Sequence, residues 1–167
     1  AARGAELNEA AARLARQEAD AADHPVVVAG SIGPLGQFLE PMGDLSADEA
    51  TAIFADQARA LSAGGVDVFW IETMADLAEV QAAVAGCRMA DPGKPIVATL
   101  TFDTKGRTMM GVTPEKAIQT LTALNVIALG ANTDPYQPIE KEHKITRGVL
   151  EVLSEFKQPG GIVAKNA

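Results

Sequence analysis

Six polar side chains stand directly after short apolar runs of the sequence. They are Ser31 after the first run, Glu72 and Thr73 after the second, Thr101 and Asp103 after the third, and Asn132 after the fourth. If these runs are parallel strands, their carboxyl ends meet at one edge of a sheet, where ligand sites are commonly built. A carboxylate such as Glu72 can pair there with an ammonium group. Alternatively, it caps the following helix, where the helix dipole favours an anion.

The segment Gly30-Ser31-Ile32-Gly33 directly follows the first apolar run. We interpret it as a turn whose backbone can approach a ligand closely. A tight strand-to-helix turn needs glycine at the same places, so a purely structural role for Gly30 remains open.

Few side chains in the sequence are of the types that bind transition metals. Cys87 is the single cysteine, the two histidines His24 and His143 are isolated, and no C-x-x-C, H-x-x-x-H or H-E-x-x-H motif occurs. Asp134, Glu140 and His143 provide donors that suit a divalent ion, but such residues in a polar loop are usually solvated. We therefore expect no metal site and no cofactor in this chain.

Helical patterns separate the apolar runs. The first predicted helix ends near Ala22. Three later helices begin with recognisable caps, and a fifth covers "ITRGVLEVLSEF". The caps are a capping box at Ser46 and Glu49, the same spacing at Asp76 and Glu79, and Thr113 followed by Pro114 at the first helical position.

The apolar runs predict five strands. We place the first at Val26–Ala29, and the others within "VDVFWIETM", "KPIVATLTFD", "NVIALGAN" and "GGIVAK". Continuous apolar strands alternating with helices indicate a parallel sheet with right-handed crossovers. No G-x-G-x-x-G or G-x-x-x-x-G-K-[ST] motif follows a strand, and the polar residues are spread over many strand ends. This spread favours an α/β fold of the TIM type: a partial (β/α) barrel of about five of the usual eight strands, in one domain spanning residues 1–167.

Four segments together resemble the homocysteine S-methyltransferase family, in particular its bacterial betaine- or cobalamin-linked members. They are "VVVAGSIGPLGQFLEPMGDLSADEA", "GGVDVFWIETMADLAEVQAA", "LTFDTKGRTMMGVTPEKA" and "IALGAN", all within about residues 5–132. The resemblance implies a complete barrel that transfers a methyl group to the thiol of homocysteine in methionine biosynthesis. It also implies a zinc ion that binds this thiol and lowers its pKa.

The resemblance assigns Glu72 to the ammonium group of the amino-acid substrate, and it places Gly30, Ser31, Asp103 and Asn132 beside that substrate. It also exposes a departure. The family sequence "GANC" carries a zinc-binding cysteine, whereas this chain has Thr133 at that position, and a hydroxyl is a poor zinc ligand. The paired cysteines that supply the other ligands in the family have no counterpart here.

The segment from Asn132 to Ala167, including "NTDPYQPIE", is similar to radical S-adenosylmethionine enzymes related to spore photolyase. Those enzymes hold an iron-sulfur cluster on a C-x-x-x-C-x-x-C motif that this chain lacks. We therefore expect a chimera with a family junction near residues 130–134. The alternative is one family with a loop insertion.

The net charge of -8 argues against nucleic acid or an anionic membrane surface as partner. A single cysteine suits the reducing cytoplasm, and the absence of long apolar runs argues against membrane insertion. Two functions remain in competition. One is a methyltransferase fragment that binds a small amino acid but lacks the metal centre, and the other is a recombined or engineered scaffold without activity. We expect chains to associate into a homo-oligomer, because a partial barrel leaves strand edges unpaired.

Overall fold

Helices and strands alternate along the chain. The computed structural model describes residues 3–102 and 106–132, together with the backbone of residues 162–164. Within these residues lie helices α1 (Gly4–Ala21), α2 (Ala47–Ala63), α3 (Leu77–Ala90) and α4 (Pro114–Ala123). The strands are β1 (Ala29–Ile32), β2 (Val68–Met74), β3 (Ile96–Thr101), β4 (Ala128–Asn132) and β5 (Ile162–Ala164).

The five strands form one parallel sheet in the order β1-β2-β3-β4-β5. Each strand therefore lies beside the strand that precedes it in the sequence. A doubly wound sheet would reverse its order at a switch point, whereas a (β/α) barrel keeps sequential order throughout. The expected fold class, a partial barrel, is confirmed.

Local capping signals placed most helix starts correctly. Ser46 accepts a hydrogen bond from the backbone N–H of Glu49, and the Glu49 carboxylate accepts one from the N–H of Ser46, which completes the predicted capping box. Thr113 caps α4, and Pro114 occupies its first turn. At α3 only half of the predicted box is present, because Asp76 caps the helix while the Glu79 carboxylate bonds elsewhere. The fifth predicted helix lies outside the described residues.

The first strand is three residues later than its apolar run indicates. Val26 and Val27 are exposed, and pairing with β2 begins at Ala29 opposite Val68. The chain enters the sheet at Val28, whose N–H donates to the Asp67 carboxylate over 2.7 Å. The prediction of a strand at Val26–Ala29 is therefore wrong. Gly30 and Ser31 lie within β1 and not in a turn.

The two faces of the sheet carry different cores. Alternate strand residues such as Ile71, Ala98 and Leu129 pack against the helices in the main core. On the other face, which is the barrel interior, Trp70 packs with a smaller cluster of Val68, Val97 and Ala128. In residues 3–102 and 106–132, no helix combines the length and apolar character needed to cross a bilayer.

Candidate functional site

Ser31 and Glu72 meet at the carboxyl ends of β1 and β2. The Ser31 hydroxyl donates a hydrogen bond of 2.6 Å to Oε1 of Glu72. Ser31 pairs in register with Trp70, and Glu72 lies two residues beyond Trp70, so both side chains share the barrel-interior face. A short bond to a charged acceptor is a strong one, and it fixes the direction of this carboxylate.

The alternative role of Glu72, as the cap of the following helix, is wrong. Helix α3 begins at Leu77, and its N-cap is Asp76, whose carboxylate accepts a hydrogen bond of 2.9 Å from the N–H of Ala78. Glu72 lies four residues before the cap and is bonded to β1 instead.

The backbone of β2 is irregular directly after Glu72. From Ile71 to Met74 the strand advances by three residues, while its partner β3 advances by two, from Ala98 to Leu100. Within this bulge Thr73 has φ of 66°, a left-handed conformation that a β-branched residue rarely adopts. Bulges of this kind often redirect side chains next to functional sites.

Two hydrogen bonds tie Thr73 to the neighbouring strands. Its N–H donates to the hydroxyl of buried Thr99 over 3.4 Å, and its own hydroxyl accepts from Nδ2 of Asn132 over 3.1 Å. Asn132 is buried, and it pairs in register with Thr101. The ends of β2, β3 and β4 are thereby joined into one arrangement. We call it the strand-end cluster, and its members are Ser31, Glu72, Thr73, Thr99, Thr101 and Asn132.

Two buried oxygen atoms of the strand-end cluster have no hydrogen-bond partner among the described residues. They are Oγ1 of Thr101 and Oδ1 of Asn132. Side chains alternate between the two faces along each strand, and Leu100 in β3 and Leu129 in β4 belong to the main core on the helix side. Thr101 and Asn132, which pair in register, therefore lie on the barrel-interior face. Buried polar atoms are normally satisfied, so two such acceptors side by side indicate a place where a donor can bind.

The other predicted site residues are placed differently. Gly30 faces the helices, because a Cβ there would stand 3.2 Å from Leu61 and Val66. Its position indicates close packing of β1 on α2. Asp103 and Thr133 lie outside the described residues, as do Asp134, Glu140 and His143.

A cavity of about 270 Å³ lies beside the strand-end cluster, between the loops that follow β1, β2 and β3. Thr73 borders both. The cavity also contains the side chain of Glu79, which is only 6% exposed and accepts a hydrogen bond of 2.7 Å from the N–H of Leu35. Burial raises the pKa of this carboxyl group. Sequence reasoning missed Glu79 because its spacing from Asp76 resembles an ordinary cap.

The residues that the structure describes do not form a thiolate zinc centre. In residues 3–102 and 106–132, no three His, Cys, Asp or Glu side chains converge in a way that could hold a metal ion. Cys87 is fully buried in α3, and burial raises the pKa of its thiol to about 12. A thiol with such a pKa stays protonated at neutral pH.

Comparison with known proteins identifies relatives across most of the chain. A family model described as homocysteine S-methyltransferase matches residues 1–153. Methionine synthase of Mycobacterium tuberculosis (strain ATCC 25618 / H37Rv) is 30% identical over 164 residues, which cover 93% of this chain and 14% of that protein. Methionine synthase of Mycobacterium leprae (strain TN) is 30% identical over 134 residues, covering 76% of this chain and 11% of that protein.

Solved structures show the same fold. The apo form of the homocysteine methyltransferase MmuM from Escherichia coli has a TM-score of 0.79 at 22% identity, covering 99% of this chain and 61% of that one. The metallated form of the same enzyme has a TM-score of 0.76 at 21% identity, and the match covers 97% of this chain and 58% of that one. The chain thus spans about three fifths of these structures and a much smaller part of the methionine synthases.

The family match also passes through residues 130–134 and continues to residue 153. The expected junction there, and the resemblance of the following segment to radical S-adenosylmethionine enzymes, therefore have no support in these comparisons.

Proposed function

Because the chain belongs to the homocysteine S-methyltransferase family, we propose that its strand-end cluster binds the amino-acid end of homocysteine in a methyl-transferring barrel. The observation that carries the proposal is the 2.6 Å hydrogen bond from Ser31 to Glu72. This bond holds a carboxylate on the barrel-interior face, where it can pair with the substrate ammonium group.

The neighbouring oxygen atoms support this assignment. An ammonium group carries three N–H donors, and a buried site must satisfy each of them. Glu72 offers a charged acceptor, while Asn132 Oδ1 and Thr101 Oγ1 are acceptors without a partner in the described part of the chain. The substrate would be oriented by its amino group, with its thiol left for reaction.

In the intact family, zinc supplies activation of the homocysteine thiol. The described residues do not form such a centre, so the role proposed for this chain is binding and orientation of the substrate. The same observation favours the second candidate function, a barrel scaffold that has no catalytic activity. We place the protein in the reducing cytoplasm, because a single cysteine cannot form a disulfide within the chain.

Titration calorimetry with reduced homocysteine and with 4-mercaptobutyrate, which lacks the amino group, tests the proposal. Glu72→Gln should weaken homocysteine binding by about tenfold or more, since a hydrogen bond to a charged group contributes about 1.5–3 kcal/mol. The same change should leave 4-mercaptobutyrate binding unaltered. Glu18→Gln, at an exposed position on α1, serves as the matched control.

Absence of homocysteine binding by the unaltered protein would contradict the proposal and favour the scaffold. Equal binding by the protein and by Glu72→Gln would remove Glu72 from the substrate site. A repeat of the titration with zinc present distinguishes the candidates further, because stoichiometric, thiol-dependent zinc uptake would contradict the inactive scaffold.

A further inference from the structure

Trp70 is the largest side chain on the barrel-interior face of strands β1 to β4. It lies in register with Ser31 on β1 and with Val97 on β3, and Val97 pairs in turn with Ala128 on β4. These neighbours are small, whereas an aromatic side chain buries about 150–250 Å² of surface. The indole ring is therefore the main volume in the barrel interior at this level of the sheet.

The ring separates an apolar layer from the polar strand ends. On one side Trp70 packs with a cluster of three buried residues, Val68, Val97 and Ala128. On the other side lies Glu72, two residues further along the same face, with its Cα about 7 Å from that of Trp70. Ser31, the in-register neighbour of Trp70, donates the bond of 2.6 Å that holds the Glu72 carboxylate. Trp70 thus forms the floor of the strand-end cluster.

The α-carbon of an amino acid carries four groups, and the proposed function, on which this inference rests, assigns two of them. The ammonium group lies against Glu72, Thr101 and Asn132, and the side chain extends with its thiol towards the open ends of the strands. The α-hydrogen and the carboxylate remain. Exchange of these two groups converts one enantiomer into the other, so a residue that distinguishes them sets the stereospecificity of the site.

An aromatic floor distinguishes a hydrogen atom from a carboxylate. The face of an aromatic ring carries partial negative charge and therefore repels an anion. A carboxylate pressed against apolar groups also loses its hydration without gaining a donor, which is costly. The buried cluster beneath Trp70 leaves the ring little space into which it could withdraw.

We propose that Trp70 determines the stereospecificity of the amino-acid site. Its ring admits the α-hydrogen of one enantiomer and rejects the carboxylate that the other enantiomer would place there. We expect L-homocysteine to be the accepted form, since the L-series is the common biological one.

The two enantiomers of homocysteine have the same charge, size and hydrogen-bonding groups. A purely structural role of Trp70 would therefore change the affinity for both by the same factor. The ratio of the two affinities isolates the contact between the ring and the substrate.

Two substitutions at Trp70 and one at its neighbour test this role. Trp70→Leu removes the aromatic face, and Trp70→Phe keeps an aromatic face of smaller area. Phe69→Leu is the matched control, because Phe69 precedes Trp70 in β2 but is fully buried in the main core on the helix side. It loses a ring without changing the barrel-interior face.

Titration calorimetry of the full chain with reduced L-homocysteine and reduced D-homocysteine measures the ratio. The unaltered protein should bind the L-form about tenfold or more tightly, as the burial of an uncompensated carboxylate predicts. Trp70→Leu should reduce this preference to about threefold or less, and Trp70→Phe should give an intermediate ratio. Phe69→Leu should keep the full preference, although it should lower the stability of the fold.

The fluorescence of Trp70 gives a second measurement that needs no variant. Trp70 is the single tryptophan of the chain, so all indole emission comes from the floor of the proposed site. Saturation with L-homocysteine should change the intensity or the wavelength of this emission. The fluorescence and Trp70→Phe decide the matter if Trp70→Leu does not fold.

Three results would overturn the inference. They are equal affinity of the unaltered protein for the two enantiomers, an unchanged ratio in the Trp70 variants, and an emission that saturating L-homocysteine does not alter. If both enantiomers bind equally and Glu72→Gln weakens both, the proposed function stands and the role of Trp70 falls alone. If neither enantiomer binds to the unaltered protein, both proposals fall together.

Discussion

The amide of Asn132 donates a hydrogen bond of 3.1 Å from Nδ2 to the hydroxyl of Thr73, and so connects the end of β4 to the bulge in β2. These strands are not neighbours, since β3 lies between them. The bond holds a threonine at φ of 66° directly beside Glu72. A strained residue at such a place indicates a conformation kept for function and stabilised by its surroundings.

The strain at Thr73 predicts that glycine is tolerated better than alanine at this position, which is the opposite of the order expected in a helix. Thr73→Ala and Thr73→Gly both lose the hydroxyl, but only glycine adopts the left-handed region without penalty. We expect Thr73→Gly to be more stable than Thr73→Ala by about 1 kcal/mol, measured by urea unfolding. Thr51 in α2, whose hydroxyl donates a hydrogen bond to the backbone carbonyl of Ala47, provides the control. There, alanine should be the more stable by about 1 kcal/mol. If the alanine variant were the more stable one at both Thr73 and Thr51, the proposed backbone strain at Thr73 would be refuted.

Close packing of α2 on α3 predicts a large effect at Gly86. A Cβ at this position would stand 2.7 Å from the carbonyl oxygen of Thr51 and 2.8 Å from the nitrogen of Ala55. Gly86→Ala must therefore push the helices apart, although alanine favours the helix intrinsically. We expect a loss of about 1–3 kcal/mol in the free energy of unfolding. Gly4→Ala, with no atom within 4 Å of the new Cβ, should be neutral or stabilising. A neutral Gly86→Ala would refute the close contact.

Short-range signals in the sequence predict the elements whose ends depend on neighbouring residues. Capping residues located α2 and α4, and the spread of polar residues over strand ends indicated a barrel. The start of β1 was missed because "VVVA" is apolar throughout, while the entry to the sheet depends on a bond from Val28 to Asp67. No spacing rule identifies a partner 39 residues away.

The candidate site also has a part that the sequence predicts and a part that it does not. Parallel strands end at one edge, so Ser31, Glu72 and Asn132 could be assigned to a common region from the sequence. The bond between Asn132 and Thr73 could not, because it depends on the bulge in β2. The spacing of Glu79 from Asp76 predicts a helix-capping role. Its carboxylate bonds to Leu35, a contact between distant segments that helical spacing does not reveal.

We propose that chains associate through the β1 edge. Among the described strands, β1 pairs with β2 alone, and its residue Ala29 is exposed. Open strand edges recruit further strands, and charged side chains prevent this. Sedimentation velocity should show an oligomer whose fraction rises with concentration, and Ala29→Lys should shift it towards the monomer. A protein that stays monomeric at every concentration would contradict the proposal.

The Asp67 carboxylate predicts how stability depends on pH. The Asp67 carboxylate accepts a hydrogen bond from the N–H of Val28 and another, of 2.8 Å, from the guanidinium of Arg16. These contacts hold the pKa of Asp67 below the ordinary value of 3.8. A group whose pKa is lowered by folding stabilises the protein above its unfolded pKa, and this contribution is lost as the pH falls through the folded pKa.

Asp67→Asn keeps an oxygen for the Val28 bond but removes the charge. Because this side chain is 46% exposed, we expect the substitution to cost about 0.5–1 kcal/mol at pH 7. The difference from the unaltered protein should persist to about pH 4 and should shrink as the pH falls further, because protonation then neutralises Asp67 as well. Urea unfolding of both proteins between pH 7 and pH 2 measures this difference in the free energy of unfolding, with Glu18→Gln on the exposed face of α1 as control. A difference that stays constant down to pH 2 would show that the charge of Asp67 does not stabilise the entry to β1.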